Sequence, residues 1–277
     1  MTQEREDSAQ QLYLESLVGQ LTGWNNPQQR LAQAFSRNEF ILYQQAIRPV
    51  VQRAARRFVE ILVRHEDEEK HLTPPGAFLP MLEYHDMMPE LDRWVTRRVI
   101  EWHRDNASGR PLRYSINASI KTFGDAAFPK FVQEQLYANS VPADVLCFEL
   151  PEAEIVPQGE AVRPATTALR QLGCSIAVGA VGRQTISFKA IQTVSANFVK
   201  LDGALVRELH RDPVALAKAQ AISRVCQSAH IRTIAEFVEE QETLERLRAI
   251  GVDYAQGFGI SRPAPLADLV GAASGAG

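Results

Sequence analysis

The chain has 277 residues, 45% of them hydrophobic, with 30 Lys and Arg against 33 Asp and Glu for a formal charge of −3. That balance excludes bulk attraction to DNA or to an anionic membrane, so any anionic ligand must be held by local groups. The length suits a single large α/β barrel, and no apolar run approaches the roughly 18 residues a membrane span requires. Cys147, Cys174 and Cys226 are scattered, with neither metal-ligand spacing nor a disulfide framework, and read as small core residues. The opening "MTQEREDSAQ" is polar and charged, unlike a secretion signal, so a cytoplasmic protein without membrane insertion is expected.

Residues 1–30 are expected to form a helical extension. Leu12, Leu14, Leu17, Val18 and Leu21 recur at helical spacing before Gly23 and Pro27 interrupt. This segment reads either as a helix packed on the next domain or as a connector to a partner or an upstream domain. Residues 31–268 form the main domain, and 269–277, ending "GAASGAG", a disordered tail. Within the main domain eight short apolar runs read as strands: "FILYQ" (40–44), "RFVEILV" (57–63), "RYSIN" (113–117), "VLCFEL" (145–150), "CSIAV" (174–178), "NFVKL" (197–201), "RTIAE" (232–236) and "VDYAQ" (252–256). Helical stretches such as "MPELDRWVTRRVIEWHRD" and "FPKFVQEQLYAN" separate most of them. Eight alternating units predict a closed parallel barrel. The link "QAIRPVVQRAAR" is too short for a crossover helix, so the first two strands are expected to be antiparallel.

Active sites of such barrels lie at the carboxyl ends of the strands. Those ends carry Gln45, Glu60, Asn117, Glu149, Lys200, Asp202, Glu236, Glu239 and Gln256. A carboxylate inside an apolar run is costly to bury unless it is paired or ligates a cation. Several from different strands at one level point to one site, and oxygen ligands of this kind suit Mg²⁺ or Mn²⁺. The fifth strand is the exception: it ends in Gly179, Ala180 and Val181, which carry no side chain able to bind a metal. The "GAVGRQ" that follows reads either as a phosphate loop or as the remnant of a catalytic loop. Arg183 is its one group able to reach a phosphate, and the remnant is the favoured reading.

Over about residues 30–268 the chain resembles the EAL-domain family of cyclic-di-GMP phosphodiesterases. "FVEILVRHED" resembles the family's "EALLRW" segment, "YQQAI" its "YQPI" and "PGAFLPMLEYHDMM" its "PAEFIPLAEETGLI". "SINAS" is similar to "SVNLS", "FELPEAEI" to "LEITESAL" and "FVKLD" to "LKID". "IAEFVEE" is similar to "IAEGVET", and "AQGFGISRPAP" to "QGYLFSRPLP". The resemblance implies a TIM-like (β/α)8 barrel with an antiparallel first strand. It implies metal ligation by Glu60, Asn117 and Glu149, a general base at Glu236 and a catalytic lysine at Lys200. Gln45, Leu62 and Arg64 match nucleotide-contacting positions; Asp202, Glu239 and Gln256 match supporting positions at the same site; Glu152 matches a glutamate that steadies the loop after the fifth strand.

Where the family has "DDFGTGYSSL", this chain has "GAVGRQTISF", so Gly179 and Ala180 replace two aspartates, the first of which bridges both metals. Two-metal hydrolysis depends on such a bridge. The sequence therefore predicts negligible hydrolysis, no required cofactor and at most one weakly bound Mg²⁺ or Mn²⁺. The expected protein is not an enzyme but a receptor for cyclic-di-GMP that signals to an unidentified protein partner. Two alternatives stand beside it: an interaction module that no longer binds nucleotide, and a very slow single-metal phosphodiesterase. No "GGDEF" segment precedes the barrel, so synthesis of the dinucleotide is not expected, and both a monomer and a homodimer remain open.

Overall fold

In the computed structural model, which describes residues 24, 26–51, 56–66, 72–107, 109–183 and 187–271, all eight expected strands form. The expected helix around residues 12–21 and residues 184–186 of the altered loop lie outside the described residues. Of the expected tail 269–277, residues 272–277 lie outside them, while 269–271 are not disordered but end the helix Asp268–Gly271, where Leu269 is buried against the core. The strands are β1 (Phe40–Pro49), β2 (Arg57–Glu66), β4 (Leu112–Asn117), β5 (Leu146–Pro151), β6 (Ser175–Val181), β7 (Phe198–Leu201), β8 (Arg232–Ala235) and β9 (Tyr254–Ala255). Two dipeptide strands were not anticipated: β3 (Leu72–Thr73), paired antiparallel to the end of β2, and β10 (Ala264–Pro265), paired antiparallel to β1. Two residues are too few to show a period-2 pattern.

From β2 through β4, β5, β6, β7, β8 and β9 every neighbouring pair is parallel. The ring is closed by β1, antiparallel both to β2 and to β9. The short 45–56 link thus joins an antiparallel pair, in register from Phe40↔His65 to Ile47↔Phe58. Helices cover the outer wall. The longest, Glu152–Leu172, keeps Ile155, Val162, Ala165 and Leu169 on its buried side despite Pro157 and Pro164 within it.

Inside the barrel an apolar layer of Ile47, Phe58, Cys147, Ala177, Phe198, Ile234 and Tyr254 fills the amino-terminal half. Arg113 stacks over the Phe198 ring, 5.3 Å from its centroid, and completes this floor. Side chains alternate along a strand, so residues two further on point into the same interior. Two along from Phe58, Cys147, Ala177, Phe198, Ile234 and Tyr254 stand Glu60, Glu149, Gly179, Lys200, Glu236 and Gln256; Gln45 occupies the same level on the reversed β1. One period-2 step converts an apolar floor into a polar ring. The three cysteines are free and buried, and burial pushes their thiols up, Cys147 and Cys174 to about 12 and Cys226 to about 11.

On the outer wall His103 is buried at the end of the helix Met88–Asn106, its Nδ1 3.0 Å from the Tyr114 hydroxyl. Burial, with Arg56 nearby, holds its imidazole below the ordinary 6.5. The unfolded chain therefore binds a proton that the folded chain refuses between that lowered value and 6.5, and stability falls as pH drops through this window. We expect His103→Gln to lose less thermal stability than the wild type between pH 7.5 and 5.5. Equal losses in melting temperature would contradict this.

Candidate functional site

Lys200 is the centre of the polar ring. Its side chain is 0% exposed, and Nζ lies 3.1 Å from Glu60 Oε2, 3.0 Å from Glu149 Oε2 and 2.9 Å from Glu236 Oε1. Strands β2 and β7 stand on opposite sides of the ring, so the Lys200–Glu60 contact spans the barrel. Asn117 Nδ2 donates to Glu60 Oε1 at 2.7 Å, and Ser115 Oγ donates to Glu149 Oε2 at 3.2 Å. Gln256 Nε2 donates to Glu60 Oε2 and, at 2.9 Å, to Gln45 Oε1. Gln45 Nε2 in turn donates to the Ser261 carbonyl at 2.8 Å, and the Ala46 amide to Ser261 Oγ at 3.0 Å. Ser115 and Ser261 were missed by the sequence reading. Ser115 had a signal, since it lies two residues before Asn117 on the same strand face.

The electrostatics follow from one buried cation among three carboxylates. Burial disfavours each charge, but Glu149, Glu236 and Glu60 together hold the Lys200 ammonium well above its usual range. Burial also pushes the Glu60 carboxyl up, and Lys200, Asn117 and Gln256 more than offset it, leaving it lowered. Glu149 is raised to about 7 by burial, with the Glu60 and Glu236 charges adding to the effect against the pull of Lys200. The cluster thus keeps one of its carboxyls close to protonation at neutral pH.

The donor set fits one divalent cation better than two. Glu60, Asn117 and Glu149 offer oxygen atoms at adjacent strand ends, the chemistry Mg²⁺ or Mn²⁺ takes. A second position lacks its donors. At Gly179 there is no side chain, and a Cβ built there would overlap the Glu149 carboxylate, which leans into that space. Ala180 follows in the left-handed region at φ +55°. The residues present do not fit a two-metal centre.

The segment after β6 is tied down at both sides of the undescribed residues. The Asp202 amide donates to the Val181 carbonyl at 2.9 Å, and Arg183 Nε donates to Asp202 Oδ2 at 2.9 Å. Asp202 Oδ1 accepts from the Ala204 amide at 2.9 Å and caps the helix Gly203–Arg207. Beyond the gap, the Ser187 amide donates to Glu152 Oε1, and Ser187 Oγ caps the helix Phe188–Thr193.

Beside the ring lies a cavity of about 510 Å³, lined by Asn117 and Glu149 on its polar side and by Leu62, Leu79, Met88 and Ile120 on its apolar side. Arg64 stands at the end of β2, its guanidinium 5.6 Å over the Tyr43 ring and its Nη1 donating to the Val63 carbonyl at 2.8 Å. Glu239, expected within the carboxylate cluster, is exposed and lines a separate surface groove with Arg207, Arg211 and Phe237. The cause is local: Phe237 takes φ +54°, which breaks strand alternation immediately after Glu236.

With the site in place, comparison with known proteins bears on it directly. The EAL domain profile matches residues 28–263. The cyclic di-GMP phosphodiesterase PdeB of Shewanella oneidensis is 33% identical over 239 residues, 86% of this chain and 28% of that protein. The cyclic di-GMP phosphodiesterase PdeF of Escherichia coli is 29% identical over 245 residues, 87% of this chain and 32% of that protein. The chain therefore spans about a third of the length of these relatives. The solved PaMucR phosphodiesterase, in complex with c-di-GMP, superimposes with a TM-score of 0.80 at 25% identity, covering 88% of this chain and 99% of that one. These names overturn the expectation that the chain is not an enzyme. The physical reason is visible in the ring: despite Gly179 and Ala180, the carboxylates and lysine implied for the reaction remain assembled at one level of the barrel. The fold and the matched span agree, and the chain belongs to the EAL-domain family.

Proposed function

We propose that this chain binds cyclic-di-GMP across the carboxyl ends of its barrel strands and hydrolyses one phosphodiester of the ring slowly. The observation that carries the reading is the convergence of Glu60, Glu149 and Glu236 on the buried Lys200 ammonium. Glu236, half-buried at the mouth, takes the proton of the attacking water, and Lys200 holds the carboxylates in register. Leu62 and Arg64, at the end of β2, and Gln45, in the polar ring on β1, contact the nucleotide; Glu152 fixes the loop through Ser187. One divalent cation held by Glu60, Asn117 and Glu149 would supply Lewis-acid polarisation of a phosphoryl oxygen. Gly179 and Ala180 remove the donors of a second cation, and that loss sets the slow rate. A bound dinucleotide then persists long enough to serve as a signal to a protein partner.

The test is to incubate purified protein with cyclic-di-GMP in Mg²⁺ and in chelator, follow binding by calorimetry, and separate the recovered nucleotide by chromatography. We expect binding in both conditions and slow conversion to the linear dinucleotide in Mg²⁺ alone. Absence of binding, or ligand recovered intact after prolonged incubation in Mg²⁺, would overturn the reading.

A further inference from the structure

We propose that Arg183 is a phosphate-binding residue of this site, holding the phosphodiester of the cyclic dinucleotide opposite the one that Arg64 contacts. The inference deepens the proposed function and rests on it. The family pattern has threonine at this position, so the group belongs to this chain's own sequence.

The backbone beneath Arg183 is fixed. Gly182 adopts φ +92° and lies so close to Leu205 that a Cβ there would stand 2.8 Å from its Cδ2. The Lys218 ammonium donates to the Gly182 carbonyl, and Val181 is paired with Leu201 of β7. The guanidinium is oriented as well. Nε is bonded to Asp202, whose side chain is 2% exposed and whose other oxygen is taken by the Ala204 amide. The Arg183 side chain is nevertheless 69% exposed. An arginine gripped through Nε by a buried carboxylate presents its two terminal nitrogens as a preformed fork, the geometry that holds phosphate oxygens.

Asp202 stands two residues beyond Lys200 on an extended backbone, so its carboxylate lies one layer above the ammonium on the inward side. Arg183, bonded to Asp202, is thereby held at the carboxyl end of the barrel. Lys200 cannot serve a ligand directly, being fully buried and bonded to three carboxylates. Arg64 rises from β2; Arg183 follows β6, three places away around the eight-membered ring, and is bonded to Asp202 just past the end of β7, four places away. Cyclic-di-GMP carries two phosphodiesters on opposite sides of its macrocycle. Two arginines separated across the carboxyl end of the barrel match that disposition and supply positive charge where a second cation has no donors.

The experiment is calorimetric titration of cyclic-di-GMP into wild type, Arg183→Ala and Arg183→Lys in chelator, at low and moderate salt, with melting temperatures recorded in parallel. We expect Arg183→Ala to weaken binding about 10- to 100-fold, the scale of a lost charge-assisted hydrogen bond. Its salt dependence should flatten, its melting temperature should hold, and Arg183→Lys should recover part of the affinity. Unchanged affinity in Arg183→Ala, or a loss matched by a fall in melting temperature and not recovered by lysine, overturns the inference while the proposed function stands. Wild-type protein that fails to bind overturns both.

Discussion

Lys200→Met should lower the melting temperature by about 10 °C and do so more at pH 8 than at pH 5. The substitution removes one ammonium from three carboxylates whose side chains are 8 to 19% exposed. Breaking a buried ion pair from one side costs about 3–5 kcal/mol, because the remaining charge is left uncompensated. In a domain of this size each kcal/mol moves the melting temperature by roughly 2–4 °C. The pH dependence has a definite sign. Without the ammonium, burial leaves the Glu60 and Glu149 carboxyls binding protons more tightly in the folded state than in the unfolded one. Stability is then lost as pH rises above the ordinary carboxylate range and regained as it falls back. Thermal scans at the two pH values decide it, and a drop below 3 °C at pH 8 would show the ring to be held by something else.

Restoring acidic residues at the end of β6 should have the largest effect on chemistry. The double variant Gly179→Asp with Ala180→Asp is expected to raise Mg²⁺-dependent hydrolysis by about 100-fold, the upper end of what groups supporting a metal site carry. The two substitutions act on stability in opposite directions. Ala180 sits at φ +55°, where alanine is strained by about 1 kcal/mol and aspartate or asparagine is tolerated through local hydrogen bonding. Ala180→Asn alone should therefore stabilise. Gly179→Asp alone should destabilise, since its Cβ enters the space that the Glu149 carboxylate now fills, and it adds a fourth acid to the ring. Added Mg²⁺ should reverse that loss in the double variant. Hydrolysis unchanged from wild type would place the rate limit away from these two positions.

The barrel was legible because most of its strands, β6 apart, are apolar runs that carry an acidic, amide or lysine residue on the inward face, in several cases two steps beyond an apolar one. Phe58 and Glu60, or Phe198 and Lys200, carry the pattern on their own. The antiparallel start was legible from the length of one link. Three features were not. The strands at Leu72–Thr73 and Ala264–Pro265 are too short for any periodicity. Glu239 lies at the same spacing from Glu236 that its motif suggests, yet the left-handed turn at Phe237 sends it outward, and backbone handedness leaves no mark in a residue pattern when the position is not glycine. The Arg183–Asp202 pair joins residues 19 apart across two neighbouring strands, a contact that exists only once their register is known.

Closing the ring with an antiparallel first strand has a consequence for how the chain acquires its shape. Arg48 and Pro49 pair with Ala255 and Tyr254, and Tyr43 with Pro265, so the seam joins segments more than 200 residues apart in sequence. Gln45 reaches Gln256 and Ser261 across that same seam. During synthesis the first hairpin can form early and must then wait for nearly the whole domain to emerge before its outer edge is covered. Until that moment the polar ring is incomplete. A nucleotide that recognises the finished ring would bind only chains that have closed, and would act as a selective brace for them during maturation.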